Sequence, residues 1–171
     1  RVDPRIFATG AFAIFALVLF MRSQFNTDVN FATLLVPTVI QGAAMAIFFI
    51  PLITLALSGL APDRIPAASG LFNFTRITAG SFGTSIATTL WDRRASLHHA
   101  QLADHVTNVD PSTVQALAGM QAGGMNAQQS YDSLNRMLDQ QAFMLSANDI
   151  FYASALVFLL HPANVEAVAW I

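Results

Sequence analysis

The chain has 171 residues, of which 54% are hydrophobic and only 11% charged, against roughly 25% charged in an ordinary soluble domain. Eight basic residues, all arginine, meet ten acidic ones for a net charge of −2, so the basic footprint of a nucleic-acid binder is missing. There is no cysteine, which excludes a disulfide framework, a thiolate nucleophile and cysteine-held zinc or iron–sulfur, and the clustered apolar residues point to an integral membrane protein rather than a disordered chain.

Crossing a hydrocarbon core of about 30 Å takes roughly 20 apolar helical residues, and four stretches are candidates. The first, residues 6–21, is uncharged and lies between Arg5 and Arg22. Asp3 between Arg1 and Arg5, a first residue other than Met and the lack of a following stop-transfer pattern make it a poor cleaved signal. The second, residues 31–60, contains no charge but holds Pro37 and Pro51, which a membrane helix tolerates and which are expected to bend it. Within it, Gln41, Gly42 and Met45 lie deep, followed by the Phe48-Phe49-Ile50-Pro51 run. Such a flexible, aromatic surface suits hydrophobic ligands of varied shape, and it equally suits lipid contact and helix packing.

The third span, residues 67–91, is rich in Gly, Ser and Thr and carries one charge, Arg76. At about 100° per residue, Ser69, Asn73, Arg76, Gly80, Gly83, Thr84 and Ala87 share an arc of roughly 100°. Leu71, Phe74, Phe82 and Ile86 lie opposite. A small, polar face of this kind is expected to meet protein or line a cavity, where close backbone approach and interhelical hydrogen bonds hold helices together. Arg76 lies about 14 Å along the axis from Ala67, near mid-membrane. An arginine there costs roughly 2.5–3.5 kcal/mol on the lenient insertion scale, so it must meet a carboxylate, carbonyls or water. It is read either as a cavity-lining charge or as a structural arginine. Asp28, Asp63, Asp92 and Asp149 all fall at segment ends or in loops, so the expected partner of Arg76 lies on a helix outside this sequence.

Residues 92–146 form a polar excursion between the third and fourth spans. Arg93 to Val106 extends the third helix. Asp110-Pro111 starts another, with an N-cap acid and proline at the first position, that ends near Gly123-Gly124. Asn126 with Gln129 three residues on caps a further helix, whose Tyr131, Leu134, Leu138 and Leu145 lead into the fourth span, residues 147–160. The expectation is a helical hairpin standing off the membrane. His98, His99, Asp104 and His105 invite a metal reading, but the i,i+4 pairing of zinc-binding helices is missing. No phosphate-binding glycine loop, triad or nucleophile elbow is present, so neither an enzyme nor a cofactor is expected. Three arginines on one side of the spans against four on the other leave orientation undecided.

These residues resemble the C-terminal third of the EmrB/QacA-type, 14-span multidrug efflux transporters of the major facilitator superfamily. The resemblance covers residues 1–160. It rests on RVDPR, PTVIQGAAMAIFFIPLITLALSGL, PDRIPAASGLFNFTRITAGSFGTSIATTLWDRR, SLHHAQL and SANDIF, with NFTR followed by GSFGTSI the most specific. It implies an all-α integral membrane fold, a partial major-facilitator bundle of about four transmembrane helices with a helical periplasmic hairpin. These would be spans 11 to 14 of a multi-pass protein of the bacterial inner membrane, exporting hydrophobic toxic compounds at the expense of protons. The partners it implies are the lipid bilayer, the preceding ten helices, a periplasmic membrane-fusion adaptor and an outer-membrane channel. Asn73, Arg76, Gly80 and Gly83 belong to the family motif; with Gln41, Met45 and Thr84 they make the expected substrate-cavity or helix-packing set. The proton-carrying carboxylates would lie in the first ten spans, so four spans alone are not expected to pump. Residues 161–171 (HPANVEAVAWI) leave the pattern and look chimeric. The alternatives are a non-transporting membrane scaffold whose hairpin binds an adaptor and, last, a small membrane enzyme using His98, His99 and His105 with a metal.

Overall fold

The computed structural model describes residues 4–160; the atypical stretch 161–171 lies outside them. Among the described residues the chain forms five α-helices and no strand: α1 Pro4–Arg22, α2 Phe31–Leu57, α3 Ile65–Ala103, α4 Pro111–Ala122 and α5 Ala127–Leu159, with a 3₁₀ turn at Pro62–Arg64 before α3. Local chemistry sets the ends. Asn30 caps α2, its Oδ1 accepting from the Thr33 N–H and hydroxyl, both at 2.9 Å. Just beyond α2 the chain turns through Gly59 at φ 80°, a left-handed conformation that glycine adopts without penalty. The hydroxyl and backbone N–H of Thr113 both reach the Asp110 cap, and Pro111 opens α4. Asn126 and Gln129 close the expected capping box, each side chain bonded to the other's backbone N–H at 2.9 Å.

Two boundaries differ from the sequence reading. The second helix stops at Leu57 rather than 60, where Ser58-Gly59 turns the chain. It runs unbroken through Pro37 and Pro51. The extension of α3 ends at Ala103 rather than Val106, because the His105 and Val106 N–H groups bond three residues back, to Leu102 and Ala103. The helix capped at Asn126 leads into the fourth apolar segment as expected, α5 running uninterrupted through Leu159.

The helices form an open row. α2 packs on α1, α1 on α5 and α5 on α3, while α4 folds back on α5 and α2 barely meets α3. The seams are made mostly of small residues: Ala11, Ala16, Ala44, Ala95, Ala142 and Ala155 are all buried, which lets backbones approach closely. Phe12 and Phe15 of α1 stack against Phe48 of α2 and Phe158 of α5, with centroids 5.3–6.0 Å apart. Apolar surface otherwise faces outward. Phe31, Leu71, Phe74, Phe82 and Val157 are all exposed.

Two helices are long and apolar enough to cross a membrane, α2 over Phe31–Thr54 and α5, with a shorter apolar stretch at Thr9–Arg22. Only 12% and 17% of their most apolar windows is buried. The core helix of a soluble protein would be mostly buried, so an aqueous setting does not account for these helices. By apolarity alone α3 does not qualify, and the count among the described residues is two rather than four. The reason is its polar composition: Ser69, Asn73, Thr75, Arg76, Thr78, Ser81, Thr84, Ser85, Thr88 and Thr89 dilute its hydropathy. Several of those hydroxyls bond back to the helix's own carbonyls, Thr75 to Leu71 and Thr88 to Thr84 at 2.9 Å, which lowers the cost of apolar surroundings. At about 1.5 Å per residue α3 is ~58 Å long, nearly twice the ~30 Å hydrocarbon core, so one end must project from any membrane it crosses.

Candidate functional site

The candidate residues sit on two helices. On α3, Asn73, Arg76, Gly80, Gly83 and Thr84 are all exposed, as is Met45 on α2, and Gln41 is half-buried. The polar side chains of this face first satisfy themselves: Asn73 Nδ2 donates to the Ser69 carbonyl at 3.1 Å and Thr84 Oγ1 to the Gly80 carbonyl at 3.0 Å. A Cβ built on Gly80 or Gly83 would meet nothing within 4 Å. Among the described residues, then, no helix packs against this face at the two glycines.

Arg76 has two neighbours inside the chain. Its guanidinium lies 5.9 Å from the ring centroid of Phe49 on α2, and its Nη2 reaches Asn73 Oδ1 at 3.5 Å. A cation over an aromatic face gains about 0.5–1 kcal/mol when exposed and ~2 when desolvated. That falls short of an ion pair in hydrocarbon, and among the described residues Arg76 has none. Gln41 and Met45 are not brought to Arg76 by any hydrogen bond among those residues.

The second feature was not anticipated. Asp149, read from sequence as lying at a segment end, sits inside α5, ten positions before its last residue, and pairs with α3. Arg94 Nη2 lies 2.6 Å and Nε 2.9 Å from Asp149 Oδ2, and His98 Nε2 lies 2.7 Å from the same oxygen. Arg94 and His98 are one helical turn apart, so both project toward α5. Around this cluster the α3–α5 seam closes tightly. Trp91 Nε1 donates to the Phe143 carbonyl at 3.0 Å, Ser146 Oγ donates to the Trp91 carbonyl at 2.6 Å, and the Trp91 and Phe143 rings meet edge to face at 5.6 Å. A sequence signal existed: an arginine and a histidine at i,i+4, facing a lone aspartate in an otherwise apolar run.

Arg76 and Arg94 are 18 residues apart, five full turns at about 100° each step, so they share one face of α3. The upper part of that face is therefore paired with α5, and the lower part is open. Between them lies a groove of ≈ 490 Å³ walled by Gly83, Ala87 and Leu90 on one side and Ala153, Val157 and Phe158 on the other, with Arg94 and Asp149 at its upper mouth.

The other histidines disperse. His99 Nε2 lies 3.3 Å from Asn135 Oδ1 and 3.4 Å from Asp139 Oδ1, and His105 Nδ1 lies 2.8 Å from the Gln101 carbonyl. Among the described residues no group of three His, Cys, Asp or Glu is arranged to hold a metal ion. At the far end of the hairpin, Asp110 is held below the usual aspartate range by the Ser112 hydroxyl and by the backbone N–H and hydroxyl of Thr113.

The chain is similar to known exporters over nearly all its length. It is 41% identical over 161 residues to the multidrug export protein EmrB of Escherichia coli, covering 94% of this chain and 31% of that protein. It is 36% identical over 160 residues to the multidrug export protein EmrB of Haemophilus influenzae, covering 93% and 31%. It is 33% identical over 160 residues to the fatty acid resistance protein FarB of Neisseria gonorrhoeae, covering 94% and 32%. The chain thus spans about a third of the length of the curated relatives it matches. No protein-family profile and no solved structure matches it.

Proposed function

Since the chain belongs to the family of EmrB-type multidrug export proteins, matching about a third of their length, we propose that it forms the C-terminal wall of a proton-driven exporter of hydrophobic toxic compounds in the bacterial inner membrane. In this reading α1, α2, the first half of α3 and the second half of α5 cross the bilayer. The upper half of α3, α4 and the first half of α5 stand in the periplasm as a helical hairpin, where they meet a membrane-fusion adaptor that leads to an outer-membrane channel. The whole exporter would alternate access by rocking two bundles about a midplane site.

The observation that carries the reading is the open face of α3: Arg76, Gly80 and Gly83 in line, exposed, with room for a Cβ at both glycines. An arginine left facing lipid near mid-membrane is too costly to be the finished arrangement. Further helices of the exporter on this face would bury it, leaving Arg76 in a protein cavity with Asn73 beside it. No observation favours a scaffold without transport.

The test is a chimera in which this chain replaces the matching third of the E. coli exporter. Cells lacking their own exporter should regain resistance and proton-dependent dye efflux with the chimera, and lose both with Arg76→Ala at equal protein level. An inactive chimera that is nonetheless inserted and abundant would overturn the assignment. Full efflux from the Arg76→Ala form would remove Arg76 from the cavity.

A further inference from the structure

We propose that the loop between α1 and α2 is a strap that closes on α5 and opens from it, setting whether the base of the hairpin is held from one side or from two. The inference rests on the packing around residues 23–30 and not on export.

Two side chains of α5 hold the strap. Gln141 Nε2 donates to Thr27 Oγ1 at 2.9 Å, and Asn148 Nδ2 donates to the Phe25 carbonyl at 2.7 Å. Gln141 and Asn148 are two helical turns apart and so share one face of α5. Below them α1 is fastened to α5 by other means. Phe12 and Phe15 pack on Phe158, the Phe20 and Tyr152 ring centroids are 6.5 Å apart, and the Arg22 guanidinium lies 5.9 Å from the Phe151 centroid. α1 ends at Arg22, and above that level the strap continues the seam. On the opposite side α3 holds the same stretch of α5 through Phe143 and Ser146. With the strap closed, the base of the hairpin is gripped from both sides; with it open, α3 holds it alone.

The closed state is incomplete at one atom. Asn148 Oδ1 is buried and has no hydrogen-bond donor, so neither water nor a further helix can meet it while the strap is closed. Turning the amide over does not help, since Oδ1 would then face the Phe25 carbonyl. A buried acceptor without a donor costs about as much as one or two ordinary hydrogen bonds return. Opening gives that oxygen water, which offsets the lost bond to Phe25. Little apolar cover resists: Gln24, Asn26, Thr27 and Asp28 are exposed, and Phe25 and Val29 are only half-buried. The strap also keeps its own shape. The Phe25 N–H bonds to the Arg22 carbonyl at 3.2 Å, the Val29 N–H to the Asn26 carbonyl at 3.3 Å, and the Asp28 N–H to Asn26 Oδ1 at 3.0 Å. Its ends stay anchored, Arg22 to Thr38 Oγ1 at 3.2 Å and Asn30 as the cap of α2, so it swings rather than unravels. With gains and costs this close, the open and closed states are populated within about tenfold of each other.

The chain has no cysteine, so a pair of nitroxide labels reads the strap without background. Labels at Asp28→Cys and Gln140→Cys, both exposed, are placed in the purified 171-residue chain and their separation is measured by double electron–electron resonance. Two distances should appear, in a ratio within about tenfold of unity. Gln141→Ala removes the Thr27 bond and should raise the longer distance about two- to tenfold. Asn148→Asp keeps the size, removes the donor and sets a carboxylate against the Phe25 carbonyl, so it should shift the balance to the longer distance by more than about tenfold. A control pair at Leu17→Cys, exposed on α1, and Gln140→Cys should give one distance. A single distance from the strap pair overturns the inference, and that result decides even if the Asn148→Asp form fails to fold. So do two distances whose ratio Asn148→Asp leaves unchanged, and so does a second distance in the control pair, because α1 as a whole would then be leaving α5.

Discussion

Ala142 tests the α3–α5 seam most directly. It is 1% exposed on α5, and Ala95 of α3, 4% exposed, lies in the same seam, where both border a cavity of ≈ 410 Å³. Replacing it by leucine adds three carbons to a side chain that the seam already covers. Burial of those carbons could return about 0.8 kcal/mol each if the seam widened to accept them. Widening is opposed by the Trp91–Phe143 and Ser146–Trp91 hydrogen bonds within one turn of the site, each about 0.5–1.5 kcal/mol. A seam that stays closed forces the leucine off its rotamers at about 1–3 kcal/mol. A widened seam comes out near neutral, because about 2.4 kcal/mol of burial offsets about 1–3 kcal/mol of broken hydrogen bonds, and is read as a shift of Trp91 emission. A seam that stays closed loses about 2 kcal/mol, or about 4–8 °C in melting temperature for a chain of this size. The assay is thermal unfolding in detergent followed by tryptophan emission, in a Trp170→Phe background that leaves Trp91 as the sole reporter. Gln140→Leu, exposed two residues earlier on α5, is the control and should shift stability by less than about 0.5 kcal/mol. If Ala142→Leu melts with the control and Trp91 emission is unchanged, the two helices do not pack at this seam.

Three further outcomes follow from the hairpin. Asp110 is held below the ordinary aspartate value of about 3.9 by bonds that exist only in the folded α4. Its contribution is therefore complete above that value and is lost as the pH falls through the lower, folded one, so amide exchange in 111–122 should accelerate in that acidic window and lose this dependence in Asp110→Ala. Removing the α5 cap with Asn126→Ala should cost about 1 kcal/mol, seen as faster exchange confined to the first turn after Ala127. Gly124 adopts φ +97° between α4 and α5, so Gly124→Ala should destabilise the hairpin by about 1–2 kcal/mol in the same exchange experiment although a Cβ there meets no neighbour.

What the sequence revealed and what it hid divide along the range of the interactions. The caps at Asp110 and Asn126 use partners three residues away, so the residue types alone announce them, and both form. The helical runs were readable for the same reason. The pairing of Asp149 with Arg94 and His98 joins residues 51 and 55 positions apart, and only the register of α5 against α3 decides that they meet. Had α5 begun at Ala147, Asp149 would have been a helix-end acid facing water; because α5 is continuous from Ala127, the same residue is carried onto the α3 seam. The Phe49–Arg76 contact was hidden likewise, since it depends on where α2 and α3 converge after the Gly59 turn.

The continuity of α3 ties the two polar features together. Arg76 and Arg94 occupy one face of one rod, ~27 Å apart at about 1.5 Å per residue, yet they meet opposite solutions. At Arg94 the neighbouring α5 supplies a carboxylate and the charge is paired; at Arg76 the neighbouring α2 supplies only an aromatic ring, α3 itself adds the Asn73 amide, and the charge is left open. The residues between them explain the change. Trp91 and Ala95 lock onto α5 through Phe143, Ser146 and Ala142, whereas Gly83 and Gly80 remove side chains where α5 runs out at Leu159. The unfilled notch beside Arg76 lies on the face of α3 opposite Leu71, Phe74 and Phe82, the bulky apolar residues suited to lipid. In the proposed reading the notch is the side on which the rest of an exporter would close.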